Sequence, residues 1–237
     1  MDIKKIKLAL KKSRPDTDIE RDEKRLPAEV LSLFGIEEGH KIGEMNSGRG
    51  YLSAIAAYAL EETGEVYSHT APQSVERWKG NPIEKRLESY PQKNLIPIVG
   101  EMESPNFPSE MDIIFNSMTY HDTVWTKADR LKMNQSIFDS LKTGGSYCIL
   151  DHHAKDGHGI DDCHSIHRIE KAFVIEEVSR AGFYFDDDSD LLENPDDPLD
   201  QMVFEKDIRD RTSRFYSYFQ KRSIRLLLSQ PFVVTIF

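Results

Sequence analysis

An alternation constrains this chain more than any other feature of its sequence. Five short stretches rich in apolar residues, "GHKIGEM", "GEVYSHT", "NLIPIVGE", "EMDIIFNSM" and "SYCILDHH", are separated by segments with helical spacing. The core of the fourth, "DIIF", is nearly all apolar, as a strand covered on both faces should be. Strands that alternate with helices predict βαβ units and a mostly parallel sheet. The helical segments are "RGYLSAIAAYAL", "NPIEKRLESYP", "KADRLKMNQSIFDSLKTGG" and "IHRIEKAFVIEEVSRAGF". The third is expected to stop at its glycine pair and the fourth at Gly182, since glycine closes helices readily. "FYFDDDSDLL" reads as a sixth strand. "RTSRFYSYFQK" (211–221) alternates polar and aromatic, the pattern of a half-exposed edge strand, with Arg211 and Arg214 as exposed rungs. Residues 1–35 are predicted helical, with apolar spacings of three and four in "LPAEVLSLFGI" and Pro27 suited to a first turn.

With 237 residues, 38% hydrophobic and 30% charged, the chain suits one large α/β domain. The net charge of −10 argues against a nucleic-acid binder, which needs a basic footprint. No apolar run approaches the ~20 residues of a membrane span, and the basic N-terminus lacks the apolar core of a secretory signal. Cys148 and Cys163 have no framework spacing, and Cys148 falls in a core strand, so buried thiols in a cytoplasmic setting are expected. The acidic stretch 186–200 reads as a solvated loop, without the glycine that a calcium loop needs at its bend. The apolar tail "SIRLLLSQPFVVTIF" is either a docked last strand or an interface element, which keeps a homodimer open.

The stretch "HKIGEMNSGRGYL" (40–52) carries the first chemical signal. In an open parallel sheet, ligands bind beyond the carboxyl ends of the strands, where the strand order reverses. Gly48 and Gly50 let the backbone approach a ligand closely, and the next helix offers free N–H groups. Asn46 stands where a third glycine would be, and asparagine tolerates left-handed backbone angles. By spacing alone this is a cofactor cradle, a dinucleotide site or a plain turn. A dinucleotide site wants an acid about twenty residues on, and the end of strand two, Tyr67-Ser68-His69-Thr70, offers none.

With Glu44 ahead of it, this turn resembles the acid-x-Gly-x-Gly-x-Gly turn of the class I S-adenosylmethionine-dependent methyltransferases. The stretches "RDEKRLPAEVLSLFGIEEGHKI", "MTYHD", "LKTGGSYCILDHHAKDGHG", "HRIEKAFVIEEVSRAGF" and "RDRTSRFYSYFQK" look like a poorly characterised bacterial group of predicted methyltransferases, over most of residues 15–221. The resemblance implies a Rossmann-like three-layer αβα sandwich with a mostly parallel seven-stranded sheet. It also implies S-adenosylmethionine as cofactor, and the expected division is an N-terminal helical cap (1–35), a methyltransferase domain (36–221) and the apolar tail (222–237). It assigns Glu44, Asn46, Ser47, Gly48, Gly50 and Tyr51 to the cofactor, with Glu101 near the adenine amine and Asn116 in "NSMTY" at the methionine end. The superfamily's strand-two acid, which holds the ribose, is missing, so Thr70 or His69 would have to substitute with neutral hydrogen bonds.

Five of the eight histidines, His152, His153, His158, His164 and His167, lie between 152 and 167, and His121 adds a sixth after strand four. "YHD" and "DHHAKDGHG" both follow strands, so they fall at the same rim as the glycine turn. Tyr120, His121, Asp122, His152, His153 and His167 are therefore the candidate catalytic residues. His121 with Asp122 or Asp151 could take a proton from an acceptor. Three histidines with an aspartate could instead hold zinc or iron, His164 and His167 sharing a helix face at i, i+3. Without a recognised metal-ligand spacing such as His-Glu-x-x-His, no metal is assigned. The third explanation is that some histidines only cap, pack or bond to backbone. Tyr120 could orient the sulfonium or simply pack, and Arg168 could clamp an acidic substrate or pair with Glu170 or Asp151. The expected function is methyl transfer to a small molecule. A repurposed cofactor-binding relative and a metal-dependent enzyme on the same scaffold are the alternatives.

Overall fold

The computed structural model describes residues 1–223, so the choice between docked strand and interface element for the tail lies outside the described residues. Four short helices come first: α1 (Ile3–Ala9), α2 (Asp16–Ile19), α3 (Asp22–Arg25) and α4 (Pro27–Leu33). Strand β1 (Lys41–Met45), helix α5 (Tyr51–Leu60) and strand β2 (Glu65–Thr70) form the first βαβ unit. Helices α6 (Pro72–Arg77) and α7 (Pro82–Ser89) lead to β3 (Leu95–Val99), then β4 (Met111–Ser117). The rest runs α8 (Asp122–Trp125), α9 (Arg130–Ser140), β5 (Leu141–His152), α10 (Cys163–Ile166), α11 (Lys171–Arg180), β6 (Tyr184–Ser189) and β7 (Arg214–Gln220). Local chemistry sets several starts: Pro27, Pro72 and Pro82 open their helices where no N–H is needed. The Asn81 side chain also accepts the Ile83 N–H at 2.9 Å.

Among the described residues the strands form one seven-stranded sheet in the order β3-β2-β1-β4-β5-β7-β6. All neighbours from β3 through β5 are parallel, whereas β7 runs antiparallel to both β5 and β6. Two apolar cores cover the two faces. One joins α1, α4 and α5 to the sheet through residues such as Ile6, Leu31, Phe34, Ile55 and Phe115. The other joins α9 and α11 through Met133, Ile137, Val174 and Val178. This is the expected three-layer αβα sandwich, with the N-terminal helices sharing a core with the sheet. Strand order reverses between β1 and β4, so a crevice opens beyond their carboxyl ends, where Met45 pairs with Asn116.

Four expectations are corrected. The stretch 211–221 is not a half-exposed edge strand: β7 lies inside the sheet, and Arg214, Ser217 and Phe219 are buried. Both faces of the strand are covered: Arg214 donates to the carbonyls of Thr212 and Lys24, while its Nη1 and Ser217 Oγ are buried without partners among the described residues. Arg211 is exposed as expected. Helix α9 stops at Ser140, and the glycine pair belongs to β5. There a side chain on Gly145 would sit 3.0 Å from the Met111 carbonyl oxygen, so glycine serves close strand approach. The helix predicted over 166–183 is split. His167 adopts a left-handed backbone (φ 58°) that ends α10, and Ile169 bridges to His153 before α11 begins at Lys171. The acidic stretch is a loop only beyond Ser189, because its first aspartates lie on β6, the edge strand among the described residues.

Candidate active site

The turn after β1 is built from left-handed residues: Asn46 (φ 43°), Gly48 (φ 62°) and Gly50 (φ 71°). Asn46 therefore takes the backbone shape of the missing glycine. A side chain on Gly50 would come within 2.8 Å of the Ile83 side chain, and one on Gly48 would point toward Trp78. The turn is braced from β2. The Asn46 N–H donates to His69 Nδ1 at 3.1 Å, and the Ser47 N–H donates to the His69 carbonyl at 2.9 Å. His69 Nε2 then donates to the Gly100 carbonyl at 2.9 Å, tying in the end of β3. One nitrogen accepts and the other donates, which fixes a neutral imidazole, and burial pushes its pKa down to about 4. His69 is thus a brace and not a ribose ligand. Thr70 Oγ1 is buried with no partner among the described residues.

Glu44 is buried beneath α5. Its carboxylate accepts the Ser53 N–H at 2.9 Å and the Ser53 hydroxyl. Burial pushes its pKa up to about 7, against the opposing Ser53 hydrogen bonds. Tyr51 turns toward the N-terminal helices, donating to Asp22 at 2.8 Å. Asn116 Oδ1 accepts from the Thr119 hydroxyl at 2.7 Å, while its Nδ2 is buried without a partner among the described residues. Glu101 lies exposed at the end of β3, with the Gln73 amide 3.5 Å away.

On the other side of the switch point, Asp151 closes β5 and is fully buried. One oxygen accepts the His121 backbone N–H at 2.9 Å, and the other accepts from His121 Nδ1 at 2.7 Å. That grip aims His121 Nε2 at Asp122 Oδ1, 3.2 Å away, and at His167 Nδ1, 3.3 Å away. His167 Nδ1 lies 3.5 Å from the same Asp122 oxygen. Burial alone would lower the His121 pKa, but the flanking Asp151 and Asp122 carboxylates raise it to about 10. The same two histidines hold the Asp122 carboxyl below the usual carboxylate range, against its burial. His167 stacks on Trp125, ring centroids 5.3 Å apart.

The glycine turn and this cluster meet across a cleft of about 310 Å³, lined by Asn46 on one side and by Asp122, Trp125, Thr126 and His167 on the other. Its floor and wall come from Ala71, Gln73, Ser74 and Arg77, with Met102 from beyond β3. The sequence reading missed α6 and this wall; the available signal was "PQSVER", a helix-opening proline and polar residues at a strand's carboxyl end.

Other candidates lie elsewhere. The Tyr120 hydroxyl is buried between α9 and α11, accepting from Asn134 at 2.8 Å and donating to Glu177 at 3.1 Å. His152 is buried against Thr212 Oγ1 at 2.7 Å, and burial pushes its pKa well down. His153 faces Glu193, 3.5 Å away. His158 pairs with Asp162, and His164 is exposed beside Trp125, so His164 and His167 share no helix face. Arg168 pairs with neither Glu170 nor Asp151. It is fully buried and makes two bonds to Asp197, at 2.9 and 3.0 Å, a partner hidden in the acidic loop.

No protein-family model matches the chain, and no curated protein matches it. Solved structures do. A SAM-dependent methyltransferase from Aquifex aeolicus superimposes with a TM-score of 0.65 at 20% identity, covering 93% of this chain and 99% of that one. Geranyl diphosphate C-methyltransferase from Streptomyces coelicolor A3(2) gives 0.62 at 11% identity, covering 85% and 80%. A TehB-like SAM-dependent methyltransferase from Corynebacterium glutamicum gives 0.54 at 14% identity, covering 83% and 87%. At these identities the likeness concerns architecture, and the chain has the class I, Rossmann-like fold of the S-adenosylmethionine-dependent methyltransferases.

Proposed function

We propose that the chain is an S-adenosylmethionine-dependent methyltransferase acting on a small-molecule acceptor. One observation carries this reading: Asn46 of the braced turn and Asp122 and His167 of the histidine cluster line a single cleft of about 310 Å³. The residues present fit the cofactor. Asn46, Gln73 and Ser74 put polar side chains on the cleft, and Thr70 Oγ1 is a buried polar atom without a partner among the described residues at the end of β2. S-adenosylmethionine, when bound, supplies a methyl group already activated by its sulfonium. The protein then has to hold donor and acceptor in line and receive any proton that leaves.

In this reading Asn46, Ser47 and Gly48 hold the cofactor at the turn, Gln73 and Ser74 supply neutral hydrogen bonds in place of a strand-two acid, and Glu101 closes the outer edge. Asp122 and His167 receive the acceptor's nucleophilic atom, with Trp125 as an apolar wall. His121 fixes the Asp122 carboxylate through its own grip on Asp151. A cleft of this size, on a chain of net charge −10, supports a small acceptor over a polyanion. Geranyl diphosphate is the compound named for two structural neighbours, which supports a small-molecule acceptor.

Isothermal titration calorimetry of the full chain with S-adenosylmethionine and S-adenosylhomocysteine tests the reading. Saturable binding of both is expected. Absence of heat from either ligand at millimolar concentration overturns it.

A further inference from the structure

The His121, Asp122 and His167 contacts have a geometry that hydrogen bonding alone does not require. Their three facing atoms form a near-equilateral triangle with sides of 3.2, 3.3 and 3.5 Å. Ligands bound tetrahedrally at about 2.0–2.2 Å from a zinc ion stand about 3.3–3.6 Å from one another, the edge of that tetrahedron. A cation seated just above the triangle would reach all three atoms with only small shifts of the side chains. Two imidazole nitrogens and one carboxylate oxygen are the donor set that suits zinc and its first-row neighbours.

The surroundings match as well. Asp151 Oδ1 accepts from His121 Nδ1 at 2.7 Å, so the ring's other nitrogen is turned toward the triangle. A carboxylate behind a ligating histidine is the arrangement that orients metal-bound imidazoles and strengthens them as ligands. His121 and Asp151 are buried behind the cluster, whereas Asp122 and His167 line the cleft, so the triangle's open face looks into the cleft. Three protein ligands with an open fourth position is the pattern of reactive metal sites, in contrast to closed structural ones.

We infer that His121 Nε2, Asp122 Oδ1 and His167 Nδ1 bind one divalent first-row cation, zinc by preference, with its fourth position open to the cleft. That position takes water, or a thiol, hydroxyl or carboxylate of the acceptor. The acceptor as fourth ligand rests on the methyl-transfer reading; the cation site does not. Of the two histidines that sequence spacing paired, His167 belongs to this site and the exposed His164 does not.

The test uses the full chain produced without a histidine tag, stripped with chelator and dialysed against zinc or cobalt(II). Elemental analysis is expected to find one zinc per chain, and cobalt to give the intense visible bands of a four-coordinate site. Zinc should also raise the melting temperature, since it binds only the folded chain. His167→Ala and Asp122→Asn, both at half-exposed positions, should each lose at least tenfold in zinc affinity while keeping native circular dichroism. His164→Ala should bind as the parent does. A folded parent that retains no metal overturns the inference, as does retention by His167→Ala and Asp122→Asn equal to that of His164→Ala. Because no S-adenosylmethionine is present, failure here leaves the calorimetric test of methyl transfer unaffected, and the reverse also holds.

Discussion

At the scale of single residues, His69 has the clearest measurable consequence. It is neutral in the folded chain, with its pKa pushed down to about 4 from an ordinary 6.5 by burial. The folded state therefore resists protonation that the unfolded chain accepts. Its contribution to stability is complete above 6.5 and is lost as pH falls through 6.5 toward 4, by about 3 kcal/mol in all. Denaturant unfolding across that range should show the loss, and His69→Gln should flatten it relative to the parent. Equal pH slopes in the two proteins would contradict the assignment. The role of His69 was hidden in the sequence because the end of strand two was read for the acid it lacks. Glu44, Gly48 and Gly50 were legible, since a glycine turn depends on local backbone shape. That the Glu44 carboxylate lies under α5 beside Ser53 depends on packing that no spacing reveals.

At the scale of elements, the β1–α5 connection depends on left-handed residues. Gly48→Ala should cost about 1–2 kcal/mol, since alanine is strained at φ 62° and meets nothing closer than the Trp78 ring at 3.7 Å. Gly48→Asn, better suited to that region, should cost less, and the order of urea midpoints decides the matter. The parallel half of the sheet was legible because strands buried on both faces are apolar runs. The antiparallel half was not. Strand β7 alternates polar and aromatic residues like a surface strand, yet Ser217 faces a covered side and Arg214 is buried with one of its donors on the distant Lys24 carbonyl. The histidine-rich rim was legible as a set. Its members were not: His121, Asp122 and His167 converge, while His152 and His153 turn toward Thr212 and Glu193.

At the scale of the whole molecule, the long loop between β6 and β7 is fastened by one buried ion pair. Asp197 accepts both guanidinium bonds of Arg168 and, in addition, the backbone N–H groups of Ser213 at 2.6 Å and Leu199 at 3.0 Å. Arg168 is also held by the carbonyls of Gln201 and His153. Removing one partner leaves a buried charge uncompensated, so Asp197→Asn should destabilise the chain by about 3–5 kcal/mol, read as a large fall in melting temperature. A change within ordinary surface range would show that the loop is not fastened there.

The place of β7 in the sheet also bears on how the chain is made. Strands β5 and β6 have no edge in common; each pairs with β7, which follows both in sequence. While the chain emerges from the ribosome, β5 therefore presents a bare row of backbone donors and acceptors until residues 214–220 arrive. A nascent chain halted before Arg214 is a template for pairing with other chains, so the arrival of β7 is what makes the protein safe to release.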